Sequence, residues 1–312
     1  MSINHKENMQ NNSSQITVRS GKAKNGKVTL AYEVFGDSGE PLLLIMGIGM
    51  QMLMWHDDFC KELVSRGFQV VRMDNRDVGF STHLTELGEP KLFDMIWRPK
   101  KAASYSLEDM ATDAVAVLDQ LGWRSAHIVG GSLGGMIAQQ IAISYPNRVR
   151  SLTSIMSSPS AKIGRAKIRF SIKIGGLFAQ PLHNETEAAD RQVAVFKLLG
   201  TPEKNYPLDE AWLRRVGAES YRRAYDPAGK LRQQSAMLAA PDRTKALRNL
   251  RIPALVIHGD VDPMIRLRGG IATAKAIPDA KLVVLKGVGH GAFPRQVWEQ
   301  MIENICAVAK KD

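Results

Sequence analysis

The stretch Ala-His-Ile-Val-Gly-Gly-Ser-Leu-Gly-Gly-Met, residues 126–136, decides how we interpret the rest of the chain. A short apolar run ends in Gly-x-Ser-x-Gly with Ser132 at its centre, and a helix-like run follows from Met136 to Tyr145, closed by Pro146. This order predicts a buried strand, a sharp strained turn and a helix, the arrangement of a nucleophile elbow. A glycine-rich turn that serves only tight packing has the same local pattern. The interpretation therefore depends on whether the chain supplies partners for Ser132.

Apolar runs that predict strands alternate with runs that predict helices on both sides of this stretch. Such alternation predicts an α/β protein with a mostly parallel, eight-stranded sheet that is covered by helices on both faces. Besides the run before Ser132, we predict strands at Ile16–Arg19, Lys27–Phe35 (after a turn at Lys24–Gly26), Pro41–Met46, Phe68–Met73, Val149–Met156, Pro253–His258 and Lys281–Leu285. We predict helices at Trp55–Arg66, Leu107–Leu121, Leu267–Ala276 and Gln296–Ala309, with one helical turn near Leu92–Trp97.

One long segment, residues 158–240, breaks the alternation of strands and helices. It has helical patches at Ala188–Leu199 and Glu210–Tyr225, and it contains no run typical of a buried strand. It follows the strand after the elbow helix, so we predict an α-helical cap inserted over the carboxyl edge of the sheet, where α/β proteins bind ligands. We therefore divide the chain into a polar, disordered tail (1–15), a core (16–157 and 241–312) and a cap (158–240).

Composition and charge limit the functional classes. The chain has 312 residues, of which 44% are hydrophobic, and a formal net charge of +11. We find no apolar segment typical of a signal peptide and no apolar run of membrane-spanning length, which predicts a soluble, cytoplasmic protein without a membrane span. There is no polybasic tail, zinc-finger spacing or aromatic-basic repeat, so we expect no nucleic-acid partner. The charge is typical of a solvated basic face, with weak steering of anionic substrates as the alternative.

A serine nucleophile requires a base, and the base requires an acid that orients it. Among seven histidines, His290 differs because it lies in the glycine-rich loop 287–291, directly after the last predicted strand. It should therefore lie over the same sheet edge as Ser132. His127 and His258 fall on predicted buried strands and are expected to be core residues.

The acid is expected in the loop that follows another strand. Asp260 and Asp262 both follow the strand at Pro253–His258, and the order Ser, Asp, His along the chain is typical of this elbow type. The other suitable loop, residues 157–160, contains no carboxylate. Pro263 restricts the backbone of Asp262, which favours Asp262 as the orienting acid.

Backbone N–H groups are needed to stabilise the oxyanion of a tetrahedral intermediate. One should be the amide of Leu133, the residue after the proposed nucleophile. The second should be the amide of Ile48, in the loop after the strand at Pro41–Met46, where Gly47 and Gly49 permit close approach of the backbone.

Taken together, these motifs resemble the α/β-hydrolase family. They are the elbow Gly130–Gly134, the acid loop His-Gly-x-x-Asp-Pro at 258–263, and Gly289-His290. The turn Asp-Asn-Arg-Asp-Val-Gly-Phe-Ser at 74–81 is similar as well. An aspartate at position 77 and Met46-Gly47 in place of His-Gly resemble the aclacinomycin methylesterase-like branch.

The resemblance covers about residues 25–157 and 240–312 and has specific implications. It implies the α/β-hydrolase fold, with Ser132 as nucleophile, Asp262 as acid and His290 as base. The amides of Ile48 and Leu133 would form the oxyanion hole. Neither a cofactor nor a metal ion is implied.

Methionines near these loops suggest an apolar substrate pocket. Met50 and Met136 lie close in sequence to the two motifs, and with Gly47 they are our candidates for pocket residues, although ordinary core packing would require the same residue types. We expect a serine carboxylesterase that cleaves a small, largely apolar ester through an acyl-enzyme. The alternatives on the same triad are a C–C bond hydrolase, a lactonase or a cofactor-free perhydrolase, and a non-catalytic receptor could also keep the fold. The sequence does not specify an oligomeric state.

Overall fold

The computed structural model describes residues 16–291 and 293–311, so the predicted tail at 1–15 lies outside the described residues. Eight strands form one sheet in the order β1-β2-β4-β3-β5-β6-β7-β8. β1, β2 and β4 pair antiparallel, and all the other pairs are parallel, which confirms the predicted α/β architecture. The strands are β1 (Val18–Asn25), β2 (Val28–Phe35), β3 (Glu40–Ile45), β4 (Phe68–Met73), β5 (Ala126–Gly131), β6 (Val149–Ile155), β7 (Ala254–Gly259) and β8 (Lys281–Leu285).

The first strand differs from its predicted extent. We predicted Ile16–Arg19 followed by a turn at Lys24–Gly26, but β1 continues to Asn25 and the turn consists of Gly26 and Lys27. β1 is an edge strand with mostly exposed side chains, so its sequence lacks the apolar alternation of a half-buried strand. Its register with β2, from Val18 opposite Phe35 to Asn25 opposite Val28, shows that backbone pairing defines it.

Helices cover both faces of the sheet, and the predicted core helices are present with boundaries shifted by at most three residues. The structure adds two helices within 158–240 that we did not predict, α6 and α9. The α-helices are α1 (Asp57–Ser65), α2 (Leu92–Trp97), α3 (Pro99–Ala102), α4 (Leu107–Gln120), α5 (Leu133–Ser144), α6 (Ile168–Ala179), α7 (Glu185–Leu199), α8 (Glu210–Arg223), α9 (Pro227–Ala239), α10 (Thr244–Leu247), α11 (Arg268–Ala276) and α12 (Trp298–Ala309).

The sequence signals of the two unpredicted helices are weak for different physical reasons. The face that α9 buries is largely polar, including Arg232, Gln233 and Ser235. α6 contains the pair Gly175-Gly176, which weakens a helical pattern, and it buries only Ile174. The start of α9 does have a readable signal, because the Asp226 side chain accepts the Gly229 amide and Pro227 occupies the first turn.

The strand β3 shows how the sheet separates two parts of the core. Leu42 and Leu44 pack on one face with residues of α1 and α12, while Leu43 and Ile45 pack on the other with residues of α4 and α5. All four side chains are fully buried, as expected for an uninterrupted apolar strand. Each contributes roughly 1.5–3 kcal/mol relative to an exposed position.

Parallel pairing places the carboxyl ends of β3, β5, β7 and β8 at one edge of the sheet. The helices α6 to α9 all lie between β6 and β7 in the chain. From there, α8 and α9 reach back to the loops after β3 and β4 through side-chain hydrogen bonds. In the described ranges, none of the helices is both long and apolar enough to cross a membrane.

Candidate active site

Ser132 occupies a sharp turn between β5 and α5, in backbone geometry that non-glycine residues rarely adopt. Its φ and ψ are 55° and −118°, and its amide donates to the carbonyl of Ile155 on the neighbouring strand at 2.9 Å. The surrounding glycines are required by space. A Cβ at Gly134 would lie 2.1 Å from the Ile45 carbonyl oxygen, and one at Gly130 would lie 2.1 Å from that of Gly134.

Three side chains from distant parts of the sequence meet at this turn. The Ser132 Oγ lies 3.0 Å from His290 Nε2, and His290 Nδ1 lies 2.7 Å from Asp262 Oδ2. Since a carboxylate only accepts hydrogen bonds, neutral His290 carries its proton on Nδ1 and accepts the Ser132 hydroxyl proton at Nε2. The arrangement can therefore move a proton from the hydroxyl to the imidazole while Asp262 stabilises the resulting charge.

Asp262 is held rigidly and kept ionised. Its Oδ1 accepts the amides of Met264 and Ile265 at 2.8 and 2.9 Å, which leaves Oδ2 directed at His290. Burial by itself raises the pKa of Asp262, but the charge of His290 and the hydrogen bonds from His258 and His290 outweigh it, and the pKa is lowered to about 2. The carboxylate is therefore ionised at neutral pH.

The other aspartate of this loop, Asp260, is exposed and has a different partner. Its Oδ1 accepts the amide of Gly287 at 2.6 Å. Gly287 belongs to the loop that carries His290. Asp260 thus connects the two loops through a backbone amide, while Asp262 contacts the imidazole itself.

His258 is a residue that we expected only to fill the core, yet it also contacts the acid. It is fully buried, with Nε2 2.7 Å from the Ile265 carbonyl oxygen and 3.5 Å from Asp262 Oδ2. Because a carbonyl oxygen cannot donate, Nε2 carries the proton, and that proton also stabilises the nearby carboxylate. The signal in the sequence is the first position of His-Gly-x-x-Asp-Pro, four residues before Asp262.

The loop after β3 lies against Ser132, as the predicted oxyanion hole requires. A Cβ at Gly47 would be 3.0 Å from the Ser132 Cβ and 3.5 Å from its Oγ. Ile48 follows directly, and Leu133 begins α5, where the first amides of a helix have no partner within it. The Ile48 and Leu133 amides donate to no acceptor within residues 16–291 and 293–311.

Two buried side chains that we did not predict brace this loop. Asn75 Nδ2 donates to the Met46 carbonyl at 2.9 Å. Gln233 of α9 accepts the Gly49 amide at Oε1 and donates through Nε2 to the Arg76 carbonyl, each at 2.7 Å. Gln233 is fully buried, so an inserted helix determines part of the geometry of a core loop.

The predicted pocket residues lie in different surroundings. Met50 is half-buried, whereas Met136 is 2% exposed and packs within the core on the α4–α5 face of the sheet.

A separate cavity of about 230 Å³ lies between the core and the 201–213 segment, and Ser132 and His290 are not among its lining residues. Its aromatic lining includes Trp55, Phe59, Tyr206, Trp212, Phe293 and Trp298.

The turn after β4 joins the core to the inserted helices through buried ion pairs. Asp74 pairs with Arg223 of α8 at 2.5 Å, and Asp77 accepts Nε and Nη2 of Arg232 of α9 at 2.9 and 2.7 Å. Asp77 has a left-handed backbone conformation, with a φ of 69°. Its carboxylate is held by Arg232 and so has a structural role.

Asp77, His83 and Asp226 bring potential metal-ligand atoms within 4.8 Å of one another. Arg232 already pairs with both of these carboxylates, at 2.7 and 2.9 Å. His83 Nε2 contacts the Gly79 carbonyl at 3.0 Å. The positive charge that this cluster requires is therefore supplied by the guanidinium.

Comparisons with known proteins show the family and the fold of the chain. The family described as "alpha/beta hydrolase fold" matches residues 40–295. Rhodomycin D methylesterase of Streptomyces peucetius is 30% identical over 303 residues, which is 91% of this chain and 95% of that protein. Two solved structures are similar in fold. An enol-lactonase of Burkholderia xenovorans LB400 has a TM-score of 0.69 at 19% identity, covering 93% of this chain and all of that one. A 2-hydroxy-6-oxo-6-phenylhexa-2,4-dienoate hydrolase of Rhodococcus sp. strain RHA1 has a TM-score of 0.71 at 18% identity, and the match covers 95% of this chain and all of that one.

Proposed function

Because the chain belongs to the α/β hydrolase fold family, we propose that Ser132, His290 and Asp262 form the catalytic triad of a serine carboxylesterase. The single observation that carries the proposal is the continuous series of hydrogen bonds from the Ser132 hydroxyl through His290 to Asp262. A hydroxyl is a weak nucleophile until a positioned base removes its proton, and this series supplies that base with its orienting acid.

The reaction proceeds in two halves. Ser132 Oγ attacks the ester carbonyl carbon while His290 Nε2 takes its proton, and the amides of Ile48 and Leu133 stabilise the oxyanion. The intermediate collapses to an acyl-enzyme when the alkoxide leaves with the proton from His290. Water, deprotonated by His290, then attacks the acyl carbon, and the carboxylic acid leaves as Ser132 regains its proton.

The substrate class is a small, largely apolar carboxylic ester. The Streptomyces relative, which is aligned over nine tenths of this chain, is a methylesterase by name, so esters of short alcohols are the first to test. The inserted segment 158–240 acts as a cap that limits the substrate. Its Leu199 carbonyl accepts the amide of His290, and its Thr201 hydroxyl accepts the amide of Gly289, so it contacts the base loop directly.

Covalent labelling tests the proposal. We expect a fluorophosphonate to form one adduct, located on Ser132 by peptide mass mapping, and p-nitrophenyl acetate and butyrate to be hydrolysed. Ser132→Ala should lose both properties, with kcat reduced on the order of a millionfold. Ser154→Ala, which alters a buried serine on β6, is the matched control and should retain both.

Different results would replace the proposal by a named alternative. An unlabelled, inactive wild-type protein would indicate a non-catalytic receptor. Labelling at Ser132 without ester hydrolysis would direct tests to lactones, C–C bond substrates and peroxide-dependent perhydrolysis, which use the same triad.

A further inference from the structure

The short helix α2 exposes an unusual amount of apolar surface. Leu92, Phe93, Ile96 and Trp97 are 68%, 63%, 61% and 71% exposed, and their spacing places them together on one side of the helix. Met95, on the opposite side, is buried. Contiguous exposed apolar side chains of this size are typical of an interaction surface.

A second helix of the inserted segment has the same character. Ile168 and Ile172 of α6 are 77% and 71% exposed and lie one helical turn apart. Basic residues surround them: Lys167 and Arg169 are exposed beside Ile168, and Lys173 is exposed beside Ile172. Apolar side chains with lysine and arginine around them are typical of helices that lie in the surface of a membrane.

Charge is concentrated in these two segments. Residues 91–101 contain four basic residues and one acidic residue, and residues 158–184 contain five basic and none acidic. Nine basic against one acidic residue leaves +8 of the chain's formal net charge of +11 in 38 residues. The excess is therefore local and coincides with the exposed apolar helices.

Both segments adjoin the same inserted helix. α3, which directly follows α2, packs against α9. The Phe178 ring of α6 lies over Nζ of Lys230, which is also part of α9. Since Gln233 of α9 contacts the loop beside Ser132, these segments border the side of the molecule where the candidate active site lies. We call α2, α3 and α6, together with the basic residues that flank them within 91–101 and 158–184, the interfacial surface.

We propose that the interfacial surface binds the headgroup region of an anionic lipid membrane. The exposed leucine, isoleucine, phenylalanine and tryptophan side chains would insert between lipids, while the lysine and arginine side chains pair with lipid phosphates. A second copy of this chain fits poorly, because two surfaces that each carry +8 repel one another. A nucleic acid fits poorly too, since four of the six exposed apolar side chains, those of Leu92, Ile96, Ile168 and Ile172, are aliphatic and offer no ring on which bases stack.

Vesicle co-sedimentation of the full chain tests this inference. We expect binding to vesicles of phosphatidylcholine and phosphatidylglycerol in equal parts, at least about tenfold weaker binding to pure phosphatidylcholine, and loss of binding at high salt. Lys100→Gln/Lys101→Gln should weaken binding by about fivefold for each charge removed. Phe93→Ser/Trp97→Ser should weaken it by at least about tenfold.

Val18→Ser/Val284→Ser is the matched control, because these exposed side chains lie on the edge strands β1 and β8. It should bind like the wild type, and all variants should keep the wild-type rate on a water-soluble ester, which also verifies their folding. Equal binding of every variant, or equal binding to neutral and anionic vesicles, would overturn the proposal. So would a concentration-dependent dimer in sedimentation velocity that Phe93→Ser/Trp97→Ser abolishes, since a second copy would then cover the surface.

Discussion

Two buried aspartates at the same edge of the sheet have different kinds of partner, one a histidine and the other an arginine. Asp262, after β7, faces His290, and Asp77, after β4, faces Arg232. Both are at most 4% exposed and each accepts at least one backbone amide. The imidazole of His290 can gain and lose a proton, whereas the guanidinium of Arg232 stays protonated. Burial therefore does not distinguish a candidate catalytic carboxylate from a structural one, but the titratable partner does.

The largest effect should come from neutralising the acid of the first pair. Asp262→Asn should reduce kcat on the order of 10⁴-fold, because an amide in that position favours the wrong tautomer of the histidine and does not stabilise the imidazolium. Esterase kinetics and thermal unfolding measure the change.

Asp260→Asn is the control from the same loop. It alters the carboxylate that accepts the Gly287 amide and should cost about 1 kcal/mol of stability with little change in kcat. A well-folded but inactive Asp260→Asn protein would show that we have assigned the wrong acid.

Breaking the second pair, Asp77 with Arg232, should affect the stability of the fold instead of the chemistry. Arg232→Met leaves the buried Asp77 and the half-buried Asp226 without their cation, which should lower the free energy of unfolding by about 3–5 kcal/mol in urea titrations. Arg19→Met, which breaks an exposed pair with Asp37, should cost at most about 1 kcal/mol. Equal losses in the two variants would contradict the structural role of Arg232. The double variant Asp77→Asn/Arg232→Met should recover part of the loss.

Gln233 combines features of both pairs, because it belongs to the inserted helices, like Arg232, but braces the loop beside Ser132. Gln233→Met removes the acceptor of the Gly49 amide, and the displaced Ile48 amide should reduce kcat roughly 10- to 100-fold with KM nearly unchanged. The rate of fluorophosphonate inactivation should fall in parallel. Gln51→Met is the matched control, because Gln51 also joins core and inserted segment but contacts Ser220 and Ala224. Equal kcat in both variants would exclude a positioning role.

The smallest effect is a pH dependence of stability that follows from Asp262. Its pKa is lowered to about 2 in the folded protein from an ordinary value of 3.8, so Asp262 is protonated at a lower pH in the folded state than in the unfolded state. The resulting stabilisation, about 2 kcal/mol, is fully present above about pH 4 and disappears as the pH falls toward 2. Urea unfolding of wild type and Asp262→Asn at pH 7 and pH 3 measures it. A stability difference between the two proteins that grows on acidification would contradict this sign.

The sequence by itself determined the order of strands and helices along the chain and which loops follow the carboxyl ends of the strands. Uninterrupted apolar runs such as 41–46 are typical of strands buried on both faces, so the central strands of the sheet were predictable. The glycines around Ser132 were predictable as well, because a sharp turn between a strand and a helix excludes side chains. Both signals are local, since they depend on neighbours within a few residues.

Only the tertiary structure decided which side chains meet. Arg232 and Gln233 contact residues more than 150 positions earlier, and no local pattern specifies such pairs. β1 was mispredicted for a related reason, since hydrogen bonds to β2 define it and its own side chains do not. The choice between Asp260 and Asp262 likewise became a matter of distance, because only one carboxylate reaches His290 while the other binds a backbone amide. Long-range contacts depend on how the whole chain packs, and packing is a property that no short stretch of sequence contains.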